Sequence, residues 1–198
     1  MASPHGSTSS TADSMLKNLF KFAMSGQWKE VVETYRSNPT ACKARITMSG
    51  DTALHIAVND GQEDTVQDLV EIISEQSGTG VKEVLEIANK RGNTPLHLAA
   101  SMGNVKMCTC IARRDPSLAG VRNNDNETPF FSAALHGEKE AFLRLHSICG
   151  PEKGRLYYRG KDGETILHVT ISREYFGEPD RFYYKIFFLS FYLEDGRK

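Results

Sequence analysis

The sequence has few cysteines and almost no net charge, and each shortage argues against a class of protein. Four cysteines in 198 residues are too few for a disulfide scaffold, and no Cys-x-x-Cys pair indicates a zinc or redox motif. The 24 Lys and Arg residues nearly balance the 25 Asp and Glu residues, leaving a formal charge of −1. So small a charge creates no overall field to attract nucleic acid or an anionic membrane. We therefore expect no nucleic acid as a partner.

Long apolar runs and targeting signals are also missing. The longest apolar run, residues 186–193, contains a serine and is far shorter than the roughly 18–20 residues that cross a bilayer. The first 14 residues lack the basic and apolar segments of a secretory signal, and half of them are Ser or Thr. We expect residues 1–14 to form a disordered polar leader. We also expect the chain to be cytoplasmic, without membrane insertion.

Motifs that carry out chemistry are absent as well. The sequence contains no Gly-x-Ser-x-Gly, no His-Glu-x-x-His and no phosphate-binding Gly-x-x-x-x-Gly-Lys motif. Cys108 and Cys110 would lie on different faces of a helix, and no second pair completes a zinc site. A structural role is expected for both, with a redox-sensitive thiol as the alternative. The sequence predicts a protein that is not an enzyme, without cofactor, metal or small-molecule substrate.

One segment, in contrast, is present in four copies. The copies are centred on Thr52, Thr94, Thr128 and Thr165, at intervals of 42, 34 and 37 residues. Threonine is a favoured helix N-cap, and Pro95 and Pro129 stand at the first helical position, where a missing N–H costs nothing. Each copy therefore predicts the start of a helix.

A glycine follows three of these threonines after nine residues, at Gly61, Gly103 and Gly137. Glycine readily adopts the left-handed conformation that ends a helix. Beyond each glycine, apolar residues recur three or four positions apart, which indicates a second helix. These residues are Val66, Leu69, Val70 and Ile73; Met107, Cys108, Ile111 and Ala112; and Ala141, Phe142, Leu145 and Ile148. Because neither helix of a pair can bury its stripe alone, the pairs are expected to stack into one core, as an all-α solenoid.

The spacing also predicts the boundaries of the units. A weaker first unit, residues 15–46, has Lys17 at the cap position before Gly26 and is expected to cap the stack. The later units are residues 47–88, 89–122, 123–159 and, in part, 160–173. The unit 47–88 is long because of an expected flexible insertion near residues 74–82. Residues 174–198 leave the pattern as a divergent aromatic tail.

The sequence Thr-Pro-Leu-His-Leu-Ala at residues 94–99 resembles the signature of the ankyrin repeat, a helix pair with a period near 33 residues. The resemblance covers roughly residues 15–173 and implies an ankyrin-repeat solenoid with β-turn or hairpin tips. Residues 115–119, 126–129 and 162–168 are similar to plant ankyrin proteins with a C-terminal PGG membrane domain, regulators of accelerated cell death and salt tolerance. Those relatives, which lie at the membrane, continue into four hydrophobic helices that are not found here. We interpret the chain as a truncated isoform or as a gene model that runs into other sequence.

His55, His97 and His168 each stand three residues after a cap threonine. A residue repeated in successive units is expected to serve the scaffold, and the resemblance implies that these histidines join one hairpin to the next. A metal-binding or catalytic role is the weaker alternative. Phe131 occupies the corresponding position in the remaining unit, where packing is expected instead.

The resemblance further implies that another protein binds a concave surface made of turn tips and the exposed ends of the first helices. The candidate positions are Met48, Ser49, Asp51, Asn59 and Asp60; Lys90, Arg91, Asn93, Ser101 and Met102; Asn124, Asp125, Glu127, Leu135 and His136; and Lys161, Asp162 and Glu164. Arg91, Met102 and Leu135 are the expected anchors, because a few residues supply most of the energy of an interface. The predicted function is a protein interaction module in plant stress or defence signalling. The alternative is a fragment of a membrane-anchored regulator of cell death or of ion and salt stress.

Overall fold

The computed structural model describes residues 7–77 and 80–150, together with Ile166. Within these residues the chain forms nine α-helices and no strand. The helices are α1 (Ser7–Met24), α2 (Trp28–Ser37), α3 (Ala53–Asn59), α4 (Glu63–Ser77), α5 (Val81–Leu85), α6 (Pro95–Ser101), α7 (Val105–Arg114), α8 (Pro129–Leu135) and α9 (Lys139–Cys149). Short 3₁₀ helices, Pro39–Lys43 and Pro116–Gly120, follow α2 and α7.

Consecutive helices form pairs that stack in chain order. The first helix of each pair contacts the first helix of the next, so that α6 packs against both α3 and α8. The second helices form a parallel row of contacts, in which α7 packs against α4 and α9. The apolar sides of the two rows meet in one continuous core. The predicted all-α solenoid is thereby confirmed.

Each regular first helix begins directly after a threonine. Thr52, Thr94 and Thr128 have extended backbones and are the N-cap residues of α3, α6 and α8. The hydroxyl oxygen of Thr128 accepts a hydrogen bond from the backbone N–H of Phe131, at 3.3 Å. This bond satisfies one of the N–H groups that the first turn of a helix leaves without a partner. Thr165 and His168 lie outside the described residues.

The reversals inside the pairs depend on left-handed glycines. Gly103 has φ +69°, and the N–H of Asn104 after it donates to the carbonyl oxygen of Ala99. A Cβ at Gly103 would also collide with the carboxylate of Glu138, which lies over it. The same conformation ends α1, α3 and α8, where the glycines are Gly26, Gly61 and Gly137.

The apolar stripes predicted for the second helices form the core almost as expected. Every predicted position in α4 and α7 is buried, as are those in α9 apart from the half-buried Ile148. Its neighbour Cys149 is buried instead. Phe130 and Phe142 join α8 to α9 edge to face, with ring centroids 5.7 Å apart. Such aromatic pairs add roughly 0.5–1.5 kcal/mol to the burial of their surface.

The N-terminal unit differs from its prediction. Helix α1 begins at Ser7, so residues 7–14 are helical, although a disordered leader was expected over residues 1–14. Lys17 therefore lies inside a helix rather than at an N-cap. Extending an existing helix adds one hydrogen bond for each residue that is ordered, and Ser and Thr are only moderately poor helix formers.

The insertion near residues 74–82 is also more regular than expected. Residues 74–77 extend α4, and Val81 starts the additional helix α5, whose Val84 and Leu85 are buried. Helical structure at these residues was not predicted from the sequence, and within the insertion partly buried Val81 packs against the core. The tail at 174–198 and, apart from the buried helical Ile166, the partial unit at 160–173 lie outside the described residues.

Candidate protein-binding surface

One polar side chain holds together the turn before each of the described cap threonines, Thr52, Thr94 and Thr128. The Oδ1 atom of Asn89 accepts hydrogen bonds from the backbone N–H groups of Arg91 and Asn93, at 3.0 and 3.1 Å. Asn123 does the same in the next turn, and the Thr47 hydroxyl accepts from Asp51 N–H in the preceding one. Sequence reasoning missed these residues. Their signal is their position, five residues before a cap threonine in every case.

Backbone hydrogen bonds then join one turn to the next. The N–H of Lys90 donates to the carbonyl oxygen of Ser49 at 2.8 Å, and the N–H of Asn124 donates to that of Arg91 at 3.1 Å. Gly92, with φ +79°, allows this approach, since a Cβ there would collide with the backbone of Asn124. Three turn tips therefore lie side by side with a fixed backbone.

Two buried histidines add a second link between the turns. Nδ1 of His55 accepts from the backbone N–H of Thr52 at 3.2 Å, and its Nε2 lies 3.0 Å from the carbonyl oxygen of Asn93. His97 repeats this arrangement with Thr94 and Glu127. Because Nδ1 accepts, the ring is the neutral tautomer whose Nε2–H donates to the following turn.

The electrostatics of these histidines agree with that assignment. Burial lowers the pKa of both imidazoles, and that of His97 falls to about 4. Both nitrogens of each buried ring are thus bonded to backbone groups of neighbouring turns, and burial disfavours the charged form of the ring. Among the described residues, no group of three or more His, Cys, Asp or Glu side chains is arranged to hold a metal ion.

Three of the candidate contact residues help to hold the turns. The carboxylate of Asp51 accepts hydrogen bonds from Asn89, Thr47 and Ser49, which together lower its pKa although partial burial opposes the shift. The amide Nδ2 of Asn123 donates to Asn93 Oδ1 at 2.9 Å and to Glu127 Oε2 at 3.2 Å. Asp51, Asn93 and Glu127 are accordingly half-buried. Their side chains have less freedom to meet a partner than the sequence suggested.

The other candidates divide into exposed and half-buried side chains. Exposed residues at the turn tips are Met48, Ser49, Lys90, Arg91, Asn124 and Asp125. At the ends of the first helices, Asn59, Asp60, Met102 and His136 are exposed, whereas Ser101 and Leu135 are half-buried. Leu135 packs against the core, so it has less surface to offer than the sequence suggested. Lys161, Asp162 and Glu164 lie outside the described residues.

Large apolar side chains in water stand out within this polar surface. Met48 is 89% exposed and Met102 is 43% exposed, and the side chain of Arg91 is exposed as well. Methionine is flexible and polarizable, and it adapts to a variety of partner surfaces. The arrangement can bind by shape, charge and apolar contact.

In the part of the chain that the structure describes, no helix has the length and apolar character needed to cross a membrane.

Comparison with known proteins gives a consistent result. A family model described as "Ankyrin repeats (3 copies)" matches residues 15–119 and 68–155. An ankyrin repeat-containing protein of Arabidopsis thaliana is 34% identical over 110 residues, which are 55% of this chain and 19% of that protein. Human B-cell lymphoma 3 protein is 31% identical over 136 residues, 68% of this chain and 28% of that protein.

One of the proteins similar to this chain is an enzyme. The poly [ADP-ribose] polymerase tankyrase of Caenorhabditis elegans is 36% identical over 101 residues, 48% of this chain but 4% of that protein. This chain thus spans less than a third of the length of each of these three relatives. The family model, in contrast, covers well over half of the chain, and the residues it matches include the stacked helix pairs. The chain belongs to the ankyrin-repeat family.

Proposed function

We propose that this chain is a non-enzymatic module that binds another protein through the concave surface formed by its turn tips and first-helix ends. Ankyrin repeats are a general protein–protein interaction module, and the chain has them over most of its length. The mechanism is equilibrium binding without covalent chemistry. A partner bound in this way would be released unchanged.

The observation that carries the proposal is the contrast between a fixed backbone and free side chains. Hydrogen bonds join the tips at Ser49, Lys90 and Arg91 to their neighbours, so their backbone loses little entropy on association. The side chains of Met48 and Met102 remain in water and gain from burial in an interface. Such a surface is preorganised for a partner.

A role in plant stress or defence signalling is the finer part of the proposal. It is supported by the resemblance of residues 115–119, 126–129 and 162–168 to plant regulators and by the similarity to the Arabidopsis protein. The second candidate is a fragment of a membrane-anchored regulator of cell death or salt stress. The small share of the Arabidopsis protein that is matched, 19%, supports this candidate. A longer in-frame transcript that encodes four apolar segments of about 20 residues would favour the second candidate over a free-standing module.

The binding surface can be tested with two matched triple variants. The test variant combines Arg91→Glu with Met48→Ala and Met102→Ala, all at exposed positions. The control combines Lys29→Glu with Ser37→Ala and Ser147→Ala on the second helices α2 and α9, which changes the charge equally and also truncates two exposed side chains. Half-buried Leu135 is left intact in both, because its truncation would disturb the core.

Each variant is used for affinity capture from a plant extract, and captured proteins are quantified by mass spectrometry. We expect wild type and control to capture at least one protein in equal amounts. The test variant should capture at least about tenfold less of that protein, because a few hot-spot residues supply most of the binding energy. Circular dichroism verifies that both variants are folded. Equal recovery of every captured protein by the two variants would show that the turn tips do not form the interface.

A further inference from the structure

A groove of about 600 Å³ lies on the side of the molecule formed by the second helices. Gln67 of α4 is on one wall, Arg144 of α9 is on the other, and α7 supplies Cys110, Arg113 and Arg114 between them. None of the candidate residues at the turn tips or first-helix ends lines it. The groove is therefore separate from the surface proposed above.

The periodicity of α7 explains why one side of this helix forms the groove. Lys106, Cys110 and Arg113 are four and three residues apart, which places them in one row along the helix. The opposite face is apolar and buried, with Met107, Cys108, Ile111 and Ala112 in the core. Core packing thus turns the basic row outward, between the neighbouring second helices.

Positive charge is concentrated in this groove. The side chains of Arg113, Arg114 and Arg144 are exposed, and no carboxylate in the described part of the chain forms an ion pair with them. Lys106 is already paired, with its Nζ atom 2.7 Å from a carboxylate oxygen of Glu63. No acidic residue is among those lining the groove. The chain as a whole has a net charge of −1, so these three guanidinium groups form a local excess of positive charge. An anionic partner would neutralise that charge.

We propose that this groove binds a short acidic peptide segment of a partner protein. Guanidinium groups form two parallel hydrogen bonds with carboxylates, so three arginines match several Asp or Glu side chains. Val105 and partly buried Cys110 give the groove an apolar component that suits an aliphatic side chain between the acids.

The surroundings favour a short peptide over a long polyanion. Glu63, Asp64 and Glu71 of α4 stand beside the groove, close enough to influence Lys106 and Cys110 electrostatically. A nucleic acid or an anionic membrane extends beyond three arginines and would meet these carboxylates. A peptide can place its few charges within the basic area alone.

The test probe is a short fluorescein-labelled peptide in which Glu alternates with Leu, and the same peptide with Gln for Glu is its control. Fluorescence anisotropy measures binding to the full chain. Reversal of the groove charges by Arg113→Glu, Arg114→Glu and Arg144→Glu should lower the affinity at least about tenfold. The matched protein variant, Lys17→Glu with Lys21→Glu and Lys29→Glu, has the same net charge, with all three changes at exposed positions of α1 and α2. It should bind the peptide within about threefold of wild type, because its changes lie on other helices.

Cys110 provides an independent measure of where the peptide binds. It is partly buried at the groove, whereas the other three cysteines are buried, so N-ethylmaleimide should react with it first. Saturating peptide should slow that reaction, as followed by mass spectrometry. Unchanged labelling, or equal peptide affinity of both triple variants, would overturn the proposal. Stronger arginine-dependent binding to phosphatidylserine vesicles or to an oligonucleotide would overturn it as well. The turn-tip residues are intact throughout, so failure here is distinct from failure of the concave surface.

Discussion

Nε2 of His97 lies 3.1 Å from the carbonyl oxygen of Glu127, a residue 30 positions further along the chain. Through Nδ1 the same ring accepts the backbone N–H of Thr94, at 3.1 Å. One side chain therefore both starts helix α6 and holds the next turn in place. The cohesion of the stack depends on such buried, two-sided contacts between neighbouring units.

Replacing His97 by Phe, the residue that stands at the corresponding position 131, should destabilise the protein. The Thr94 N–H and the Glu127 carbonyl would lose a buried partner, and each such loss costs about 1–3 kcal/mol. We expect the free energy of unfolding in urea to fall by about 2–6 kcal/mol. The same change at exposed His136 should cost less than about 1 kcal/mol. Equal losses of unfolding free energy at the two sites would mean that the hydrogen bonds of His97 between turns do not stabilise the protein.

Acidification should weaken the fold through the same histidines. The ordinary pKa of 6.5 falls to about 4 for His97 in the native state, so between these pH values the unfolded chain binds more protons. The unfolding free energy should therefore be highest above about pH 6.5 and decline as the pH falls towards 4, by up to about 1.4 kcal/mol per pH unit for each histidine.

His97→Gln serves as the comparison, because an amide can make similar hydrogen bonds and does not titrate. Urea denaturation at a series of pH values should give a shallower decline for this variant than for wild type. If the two slopes are the same, protonation of His97 does not determine the acid sensitivity.

Alanine at Gly92 should be much more harmful than alanine at Gly61. Both glycines have positive φ, and the left-handed conformation costs a residue with a Cβ about 1–2 kcal/mol. At Gly61 a Cβ has no neighbour within 4 Å, whereas at Gly92 it meets the backbone of Asn124. Thermal unfolding should show a larger loss for Gly92→Ala. A similar decrease in Tm for both variants would contradict the close approach of the turn tips.

Asn89→Ala should loosen the second turn. The side chain accepts two backbone hydrogen bonds and donates a third to the Asp51 carboxylate at 2.8 Å. We expect a loss of about 1–3 kcal/mol and faster amide hydrogen exchange at Arg91 and Asn93. Asn59→Ala, at an exposed helix end, is the control and should change neither measurement. Unaltered exchange in Asn89→Ala would show that backbone contacts alone hold the turn.

The repeat could be predicted because its signals are local. A cap threonine, proline at the first helical position and glycine at the reversal act within a few residues of their own positions. The stripes in α4 and α7 could likewise be assigned from spacing alone. Lys17 shows the limit of this reasoning, because its distance from Gly26 copies the spacing of a cap, yet α1 continues to Ser7.

The sequence by itself therefore determined the helix pairs and the expectation that they stack. Only the tertiary structure decided which polar residues hold the turns and which remain free. Asp51 and Arg91 are both polar residues in predicted tips, but Asp51 is tied to Asn89, 38 positions away, whereas the Arg91 side chain is exposed. The basic groove could not be predicted from the sequence either, because Arg114 and Arg144 are brought together by packing of α7 against α9. Contacts between residues 30 to 40 positions apart depend on the relative placement of whole units, and local sequence preferences do not encode that placement.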